Sequence, residues 1–312
     1  MMRVPGHGTA SAYGAAVERL DRGVFAYVQP DGGWCLNNAG FVVGEREVLL
    51  VDTAATEGRA RALRDAVAAV TPLPVGTVVN THSHGDHTFG NHLFTPRATV
   101  IAHELARTEM VERGLALREM WPGVEWGDIR VEPPAVTFRD ALTVHLGDRR
   151  VEVFHVGPAH TTNDVVVWLP AERVLFAGDL VLSGCTPFVL MGSVQGLSAA
   201  VARLRALEPE VVVCGHGSLR GPDVFDETQA YLTWLSEVAR TGLAAGLPPL
   251  EAARRAELGP FAALLDAERL VANLHRAYAE ECGLPAGARI PSAPVMREMV
   301  AYNGGSPLRC TA

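Results

Sequence analysis

Residues 81–91 read THSHGDHTFGN, and His82, His84, Asp86 and His87 fall within six consecutive positions. With 11 histidines in 312 residues, chance would place only about 0.2 histidines in such a window, so the cluster calls for a chemical explanation. An H-x-H-x-D-H run at the end of a strand can turn two alternate imidazoles toward one ion and direct the adjacent Asp-His pair to a second. Neutral imidazole and carboxylate suit Zn²⁺, and also iron or manganese. Three more metal-competent side chains close apolar runs: His160 in GPAHTTND, Asp179 in LFAGDLV and His216 in VCGHGS. Taken alone, His160 or His216 would more often be a core or turn histidine; beside the cluster, each becomes a candidate ligand. His7, His92, His103, His145, His155 and His275 belong to no such pattern and are left out of the metal site.

The elements that must present these residues follow from hydrophobic patterning. From Gly23, the runs GVFAYVQ, NNAGFVVG and EVLLVDT are separated by DGG and GERE turns and predict an antiparallel meander. EGRARALRDAVAAV has apolar residues at helical spacing. PVGTVVNTH then reads as a buried strand delivering the histidines at its C-terminal end, where ligands collect in open α/β sheets. VTFRDALTVHL, RRVEVFHVG, DVVVWLP and RVLFAGD read as successive strands, SAAVARLRALEP as a helix and EVVVCGHG as a last strand. Strands closed by a helix and a strand thus occur twice, which predicts two sheets between outer helices. The expected division is an N-terminal segment (1–22), a catalytic domain (23–225) and a helical C-terminal extension (226–312) serving as lid or dimer interface. The Pro/Gly-punctuated tail ARIPSAPVMREMVAYNGGSPLRCTA supports no assignment.

Composition narrows the function classes. The chain is 48% hydrophobic and 20% charged with a net charge of −8, and its arginines form no stripe, which argues against nucleic acid as a partner. No signal-peptide core and no 18-residue apolar run are present, so a cytoplasmic protein without membrane association is expected. Cys35, Cys185, Cys214, Cys282 and Cys310 are scattered, without CxxC, and indicate neither a disulfide framework nor a cysteine zinc site. GxSxG, GxGxxG and Walker A motifs are all missing.

In order along the chain, LLVDT with Asp52, HSHGDH, His160, Asp179 and His216 resemble the five motifs of the metallo-β-lactamase-fold hydrolases. The resemblance covers roughly residues 23–218 and implies an αββα sandwich, here with a helical C-terminal extension. It implies that His82, His84 and His160 hold a first metal, that Asp86, His87 and His216 hold a second, and that Asp179 bridges them. Asp52 would steady the metal loop from behind. Two zinc ions per chain are expected, with iron or manganese as alternatives; such a pair lowers the pKa of a shared water and polarises a scissile carbonyl, with Asp86 orienting the nucleophile.

Within that superfamily, the commonest secreted zinc β-lactamases have Cys where this chain has Asp179, RNA-processing members need a basic exosite, and flavodiiron reductases carry Glu where this chain has His84. Thioesterases resembling glyoxalase II, lactonases and aromatic polyketide thioesterase/cyclases remain. THSHGDHTFGN, DVVVWLP with RVLFAGD, and AYNGGSPLRC look most like the last, actinobacterial group. CTPFVLMG and MWPGVEWGD are apolar for loops, and Trp121, Trp126, Phe188, Leu190 and Met191 are the expected substrate-pocket residues, unless they simply pack against the C-terminal helices. No Lys/Arg cluster adjoins these loops, a weak argument against a small polyanionic substrate. The expected activity is hydrolysis of a thioester or ester of a bulky hydrophobic acyl group, a small-molecule substrate carried on an acyl-carrier protein, with ring closure coupled to release. The alternatives are a lactonase, a glyoxalase II-like thioesterase, or a non-hydrolytic metal-binding factor in a cofactor pathway.

Overall fold

Alternate residues of the buried strands face different neighbours, and that alternation builds four layers. A computed structural model describes residues 13–312; His7 and most of the expected N-terminal segment lie outside the described residues. The first sheet has the order β1 (Ala16–Asp21), β2 (Val24–Val28), β3 (Ala39–Val43), β4 (Val48–Val51), β5 (Val75–Val79), β6 (Thr99–His103) and β7 (Val136–Phe138). The first four strands pair antiparallel as a meander, and β4 to β7 run parallel. The second sheet runs β12 (Val211–Cys214), β11 (Val174–Gly178), β10 (Val165–Leu169), β9 (Arg149–His155) and β8 (Ala141–Leu146). The first sheet therefore starts ahead of residue 23, at Ala16. VTFRDALTVHL, expected as one strand, breaks at Arg139–Asp140, so that β7 ends the first sheet and β8 opens the second.

Between the sheets, Leu49 and Val51 of β4 meet Val165, Val167 and Leu169 of β10 and Val174 and Phe176 of β11. The intervening Val48 and Leu50 point outward against Leu63 and Val67 of α1 (Glu57–Val70). On the far side, Val166, Trp168, Leu175 and Ala177 pack against Leu197, Val201 and Leu204 of α4 (Val194–Arg205). Both faces of the central strands are covered, which is why they read as continuous apolar runs. Each such side chain contributes about 1.5–3 kcal/mol by burial. Close approach of the sheets also dictates Gly40, where a Cβ would lie 2.0 Å from Phe176 Cε1.

The remaining helices are α2 (Gly85–Thr88), α3 (Glu104–Arg113), α5 (Asp223–Ala244), α6 (Pro249–Arg255), α7 (Arg269–Glu281) and α8 (Ser292–Tyr302). Leu232 and Leu235 of α5 and Leu270, Val271 and Leu274 of α7 join the same core as α4. The C-terminal helices thus complete the outer layer over the second sheet. Among the described residues, no helix is long and apolar enough to cross a membrane.

Candidate metal centre

Parallel pairing brings the motif residues to one edge. Val51 of β4 is in register with Val79 of β5, so Asp52 and the segment 80–87 leave the sheet together. Gly178 of β11 is in register with Cys214 of β12, so Asp179 and His216 emerge side by side. His160 lies in the turn between β9 and β10, and Val165 N–H donates to Thr81 O at 2.8 Å, tying the two sheets at the site. The single-turn α2 carries Asp86 and His87.

The expected ligands converge as two groups: His82, His84, His160 and Asp179, and Asp86, His87 and His216. Within each group the ligand atoms lie within 4.8 Å of one another. Most of the imidazoles are held from behind by the ring nitrogen that faces away from the group. His160 Nδ1 donates to Phe188 O (2.5 Å), His216 Nδ1 to Gly33 O (3.2 Å), and His87 Nδ1 to Asp52 Oδ2 (2.8 Å). His82 Nδ1 lies 3.0 Å from Thr81 Oγ1, whose own hydroxyl donates to Asp52 Oδ2 at 2.7 Å. Asp52 Oδ1 also accepts Thr81 N–H at 2.7 Å. Asp52 thus anchors both ends of the histidine run from a left-handed backbone at φ 61°. The hydrogen-bond pattern sets the tautomers that leave Nε2 of His82, His87, His160 and His216 facing inward, whereas His84 turns its Nδ1 inward and its Nε2 toward Met191 Sδ at 3.2 Å.

Divalent cations fit this donor set. His82 Nε2, His87 Nε2 and Asp179 Oδ1 are buried yet have no hydrogen-bond partner in the protein, an arrangement that costs free energy unless something accepts their lone pairs. His84 Nδ1 stands 3.0 Å from His160 Nε2, near the roughly 3.3 Å that separates two nitrogens bound about 2.0–2.1 Å from one tetrahedral ion. Asp179 reaches both groups: Oδ1 is 3.2 Å from His87 Nε2, and Oδ2 is 3.5 Å from His160 Nε2 and 3.4 Å from His216 Nε2.

The electrostatics of the two groups differ. Burial, reinforced by neighbouring imidazoles, holds His82 and His84 well below the usual histidine range. Burial also acts to lower His87 and His216, but Asp179 with Asp52 and Asp86 outweighs it at His87, and Asp179 with Asp86 carries His216 up to about 9. Protons and cations therefore compete for the same Nε2 positions in the second group.

A cavity of about 1030 Å³ opens over His84, Asp86, His160, Asp179 and His216. Trp121, Phe188, Leu190 and Met191 line it. Trp126 does not: its ring packs against Phe89 and its indole N–H donates to Trp121 O, so it backs the wall from inside the core. Cys185 is a buried thiol whose Sγ faces Gly32 O. Three lining features escaped the sequence reading. Trp34 sits in a DGGW turn with no catalytic motif around it. Ile290 and Met296 come from the unassigned tail. Arg113, Arg269 and Arg289 are far apart in the chain but share this cavity, so the expected lack of basic residues near the loops is corrected. Proximity in space, invisible to local spacing, gathers them.

Comparison with known proteins agrees with this geometry. The family model of the Metallo-beta-lactamase superfamily matches residues 32–216. A 2,4-dinitroanisole O-demethylase subunit alpha from Nocardioides sp. is 28% identical over 57% of this chain, and the alignment spans only 57% of that relative's own length. A metallo-beta-lactamase type 2 from Bacteroides fragilis is 25% identical over 69% of this chain and 84% of its own, and a hydroxyacylglutathione hydrolase from Methylococcus capsulatus is 30% identical over 46% and 48%. In fold, the chain is similar to a solved metallo-beta-lactamase from Pontibacter korlensis, with a TM-score of 0.59 at 22% identity, covering 70% of this chain and 99% of that one. With the family match spanning more than half its length and the His/Asp clusters at the expected strand ends, the chain belongs to the metallo-β-lactamase superfamily.

Proposed function

We propose that this protein is a metal-dependent hydrolase that cleaves a thioester or ester of a bulky hydrophobic acyl group. The observation that carries this reading is the placement of the two His/Asp groups at the floor of a cavity walled by Trp121, Phe188, Leu190 and Met191. His82, His84 and His160 would hold one cation and Asp86, His87 and His216 the other, with Asp179 between them. Bound there, divalent cations supply a Lewis acid for the scissile carbonyl and lower the pKa of a water nucleophile.

The chain's own residues do the rest. Asp86 faces the cavity; burial acts to raise its carboxyl, but His87 and His216 bring it down to about 2, so it stays an ionised acceptor that orients the nucleophile. Phe188 O and Gly33 O fix the imidazole planes. The apolar walls exclude bulk water from the reacting bond, and the volume accommodates a drug-sized or larger acyl group. We include in the proposal an acyl-carrier protein as the donor and ring closure coupled to release. Arg113, Arg269 and Arg289 on the same cavity support a second reading, a glyoxalase II-like thioesterase acting on an anionic thioester.

The test is elemental analysis of the purified protein with hydrolysis of an aromatic acyl thioester before and after chelation. The expected result is about two divalent ions per chain and chelator-sensitive cleavage, restored on reloading. Cleavage indifferent to chelation would overturn the reading, as would full turnover in Asp86→Ala.

A further inference from the structure

We infer that Cys35 and Cys310 form a modification site: a hydroperoxide oxidises the two thiols to a disulfide that staples residues 308–312 to the wall of the cavity. The pair belongs to neither group of ligands, and the inference holds whatever bond the protein cleaves. The two cysteines lie near opposite ends of the chain and meet because Trp34 and Cys310 pair in a parallel backbone bridge. The tail is tied down on either side of the pair: Arg309 Nη1 lies 2.8 Å from Asp31 Oδ2, and Arg59 Nη2 donates to Thr311 O at 2.8 Å. Both thiols are free, and they are hydrogen-bonded to each other. Cys35 reaches this contact from a left-handed backbone, φ 63°, which residues bearing a Cβ rarely adopt; such strain clusters at functional sites.

The two thiols are unequal. A hydrogen bond from the Cys35 thiol holds Cys310 below the usual thiol range, and the Ala312 N–H and the Arg59 guanidinium act in the same direction against partial burial. The same hydrogen bond, together with burial, pushes Cys35 well above that range. Cys310 is half-buried and Cys35 buried, so Cys310 supplies an accessible thiolate and Cys35 a resolving thiol beside it, the arrangement of a redox-responsive pair. Burial pushes Cys185 and Cys214 up to about 12 instead, where little thiolate exists near neutral pH.

With hydrogen peroxide as oxidant the reaction balances. The Cys310 thiolate attacks one peroxide oxygen, the O–O bond breaks, and the departing hydroxide takes up the proton that Cys310 released, leaving a sulfenic acid and one water. The Cys35 sulfur then attacks the Cys310 sulfur, the S–O bond breaks, and the leaving hydroxide carries off the Cys35 proton as a second water. Two electrons pass from the sulfurs to the peroxide, and a thiol reductant returns them. The new bond fixes the stretch of wall that borders the metal centre, since Cys35 lines the cavity with Trp34, Asp86 and His216, and Gly33 O accepts from His216 Nδ1 at 3.2 Å.

The test is peptide mapping of the reduced full chain after treatment with hydrogen peroxide, blocking of the remaining thiols with iodoacetamide and digestion with trypsin. Cleavage after Arg22, Arg46 and Arg309 releases residues 23–46 around Cys35 and 310–312 around Cys310. The expected result is peptide 23–46 joined to 310–312, in a chain about 2 Da lighter than its reduced form, with both changes reversed by dithiothreitol. Tm should rise on oxidation by on the order of 5–10 °C, because the link closes almost the whole chain into one loop. Cys310→Ser should lose both the link and the rise in Tm. The mapping is read on the unaltered chain, so it stands even where the serine variant folds poorly. Survival of both thiols, oxidation of Cys310 to a sulfinic or sulfonic acid without a link, a link from either residue to a different cysteine, or a link that leaves Tm unchanged would overturn the inference.

Discussion

Asp52 holds no ligand position, yet three hydrogen bonds converge on its carboxylate and it keeps a left-handed backbone to receive them. Such a backbone costs about 1–3 kcal/mol and persists where the surroundings demand it. Asp52→Asn should preserve the fold but turn an amide toward His87 Nδ1, and metal affinity at the second group should fall about 10–100-fold. Competition with a fluorescent chelator measures this, and unchanged affinity would remove Asp52 from the site. Gly215→Ala tests the opposite face, since a Cβ there would lie 2.0 Å from Asp179 Oδ1. It should displace Asp179, lower metal content and destabilise the chain by about 1–3 kcal/mol, as overpacking does. At this scale the sequence was legible where ligand chemistry dictates spacing: HSHGDH, His160, Asp179 and His216 all arrive at one place. Trp34 and Trp126 show the limit. An indole on the cavity wall and an indole behind it look alike in sequence, because only their packing decides which meets the cavity: Phe89 lies edge-on to Trp126, while Trp121 and Phe188 flank Trp34.

Among the elements, α7 sets the shape of the cavity through two polar side chains. Asn273 Oδ1 accepts Val189 N–H at 2.9 Å and its Nδ2 donates to Pro187 O at 2.7 Å, so the side chain pairs with segment 187–189 as a neighbouring strand would. One turn on, the fully buried Arg276 donates to Leu190 O and Ala288 O, joining the apolar loop after Asp179 to the segment before α8. Asn273→Ala strands a buried donor and a buried acceptor, at about 1–3 kcal/mol each. Chemical denaturation should show that loss, and a rise in KM larger than the fall in kcat should accompany it if the loop shapes binding rather than the reacting groups. Unchanged stability would mean that the loop stands without the helix. The helical pattern of 269–281 could be read from periodicity, and its strong apolar face announced a packed helix. Which loop it would grip could not, because Asn273 and Pro187 become neighbours only after the second sheet has formed.

Across the whole molecule, the two sheets, their outer helices and the strand-end placement of the ligands could be read from alternation and periodicity, which local sequence encodes directly. The break between β7 and β8 could not, since a short polar Arg-Asp pair marks a turn without saying that the chain changes sheets. The tail was illegible for a related reason: its contacts are almost all with distant segments. Leu308 O accepts the indole N–H of Trp121 at 2.9 Å, Arg309 pairs with Asp31 at 2.8 Å, Cys310 bridges to Trp34, and Thr311 O accepts from Arg59 of α1 at 2.8 Å. Residues 308–312 therefore strap the turn carrying Trp34 to the outer helix of the first sheet and to the wall carrying Trp121. Deleting them removes one buried leucine and leaves the buried Trp121 and Arg59 donors without these acceptors, while the four-layer core stays intact. Tm should fall on the order of 5 °C, with a red shift in tryptophan emission as the indoles gain water. Metal content should remain that of the full chain, because the bonds of the strap go to Trp121, Asp31, Trp34 and Arg59 rather than to the ligands. Loss of metal together with the tail would show instead that the strap supports the His/Asp groups themselves, and an unshifted emission spectrum would show that Trp34 and Trp121 are held without it.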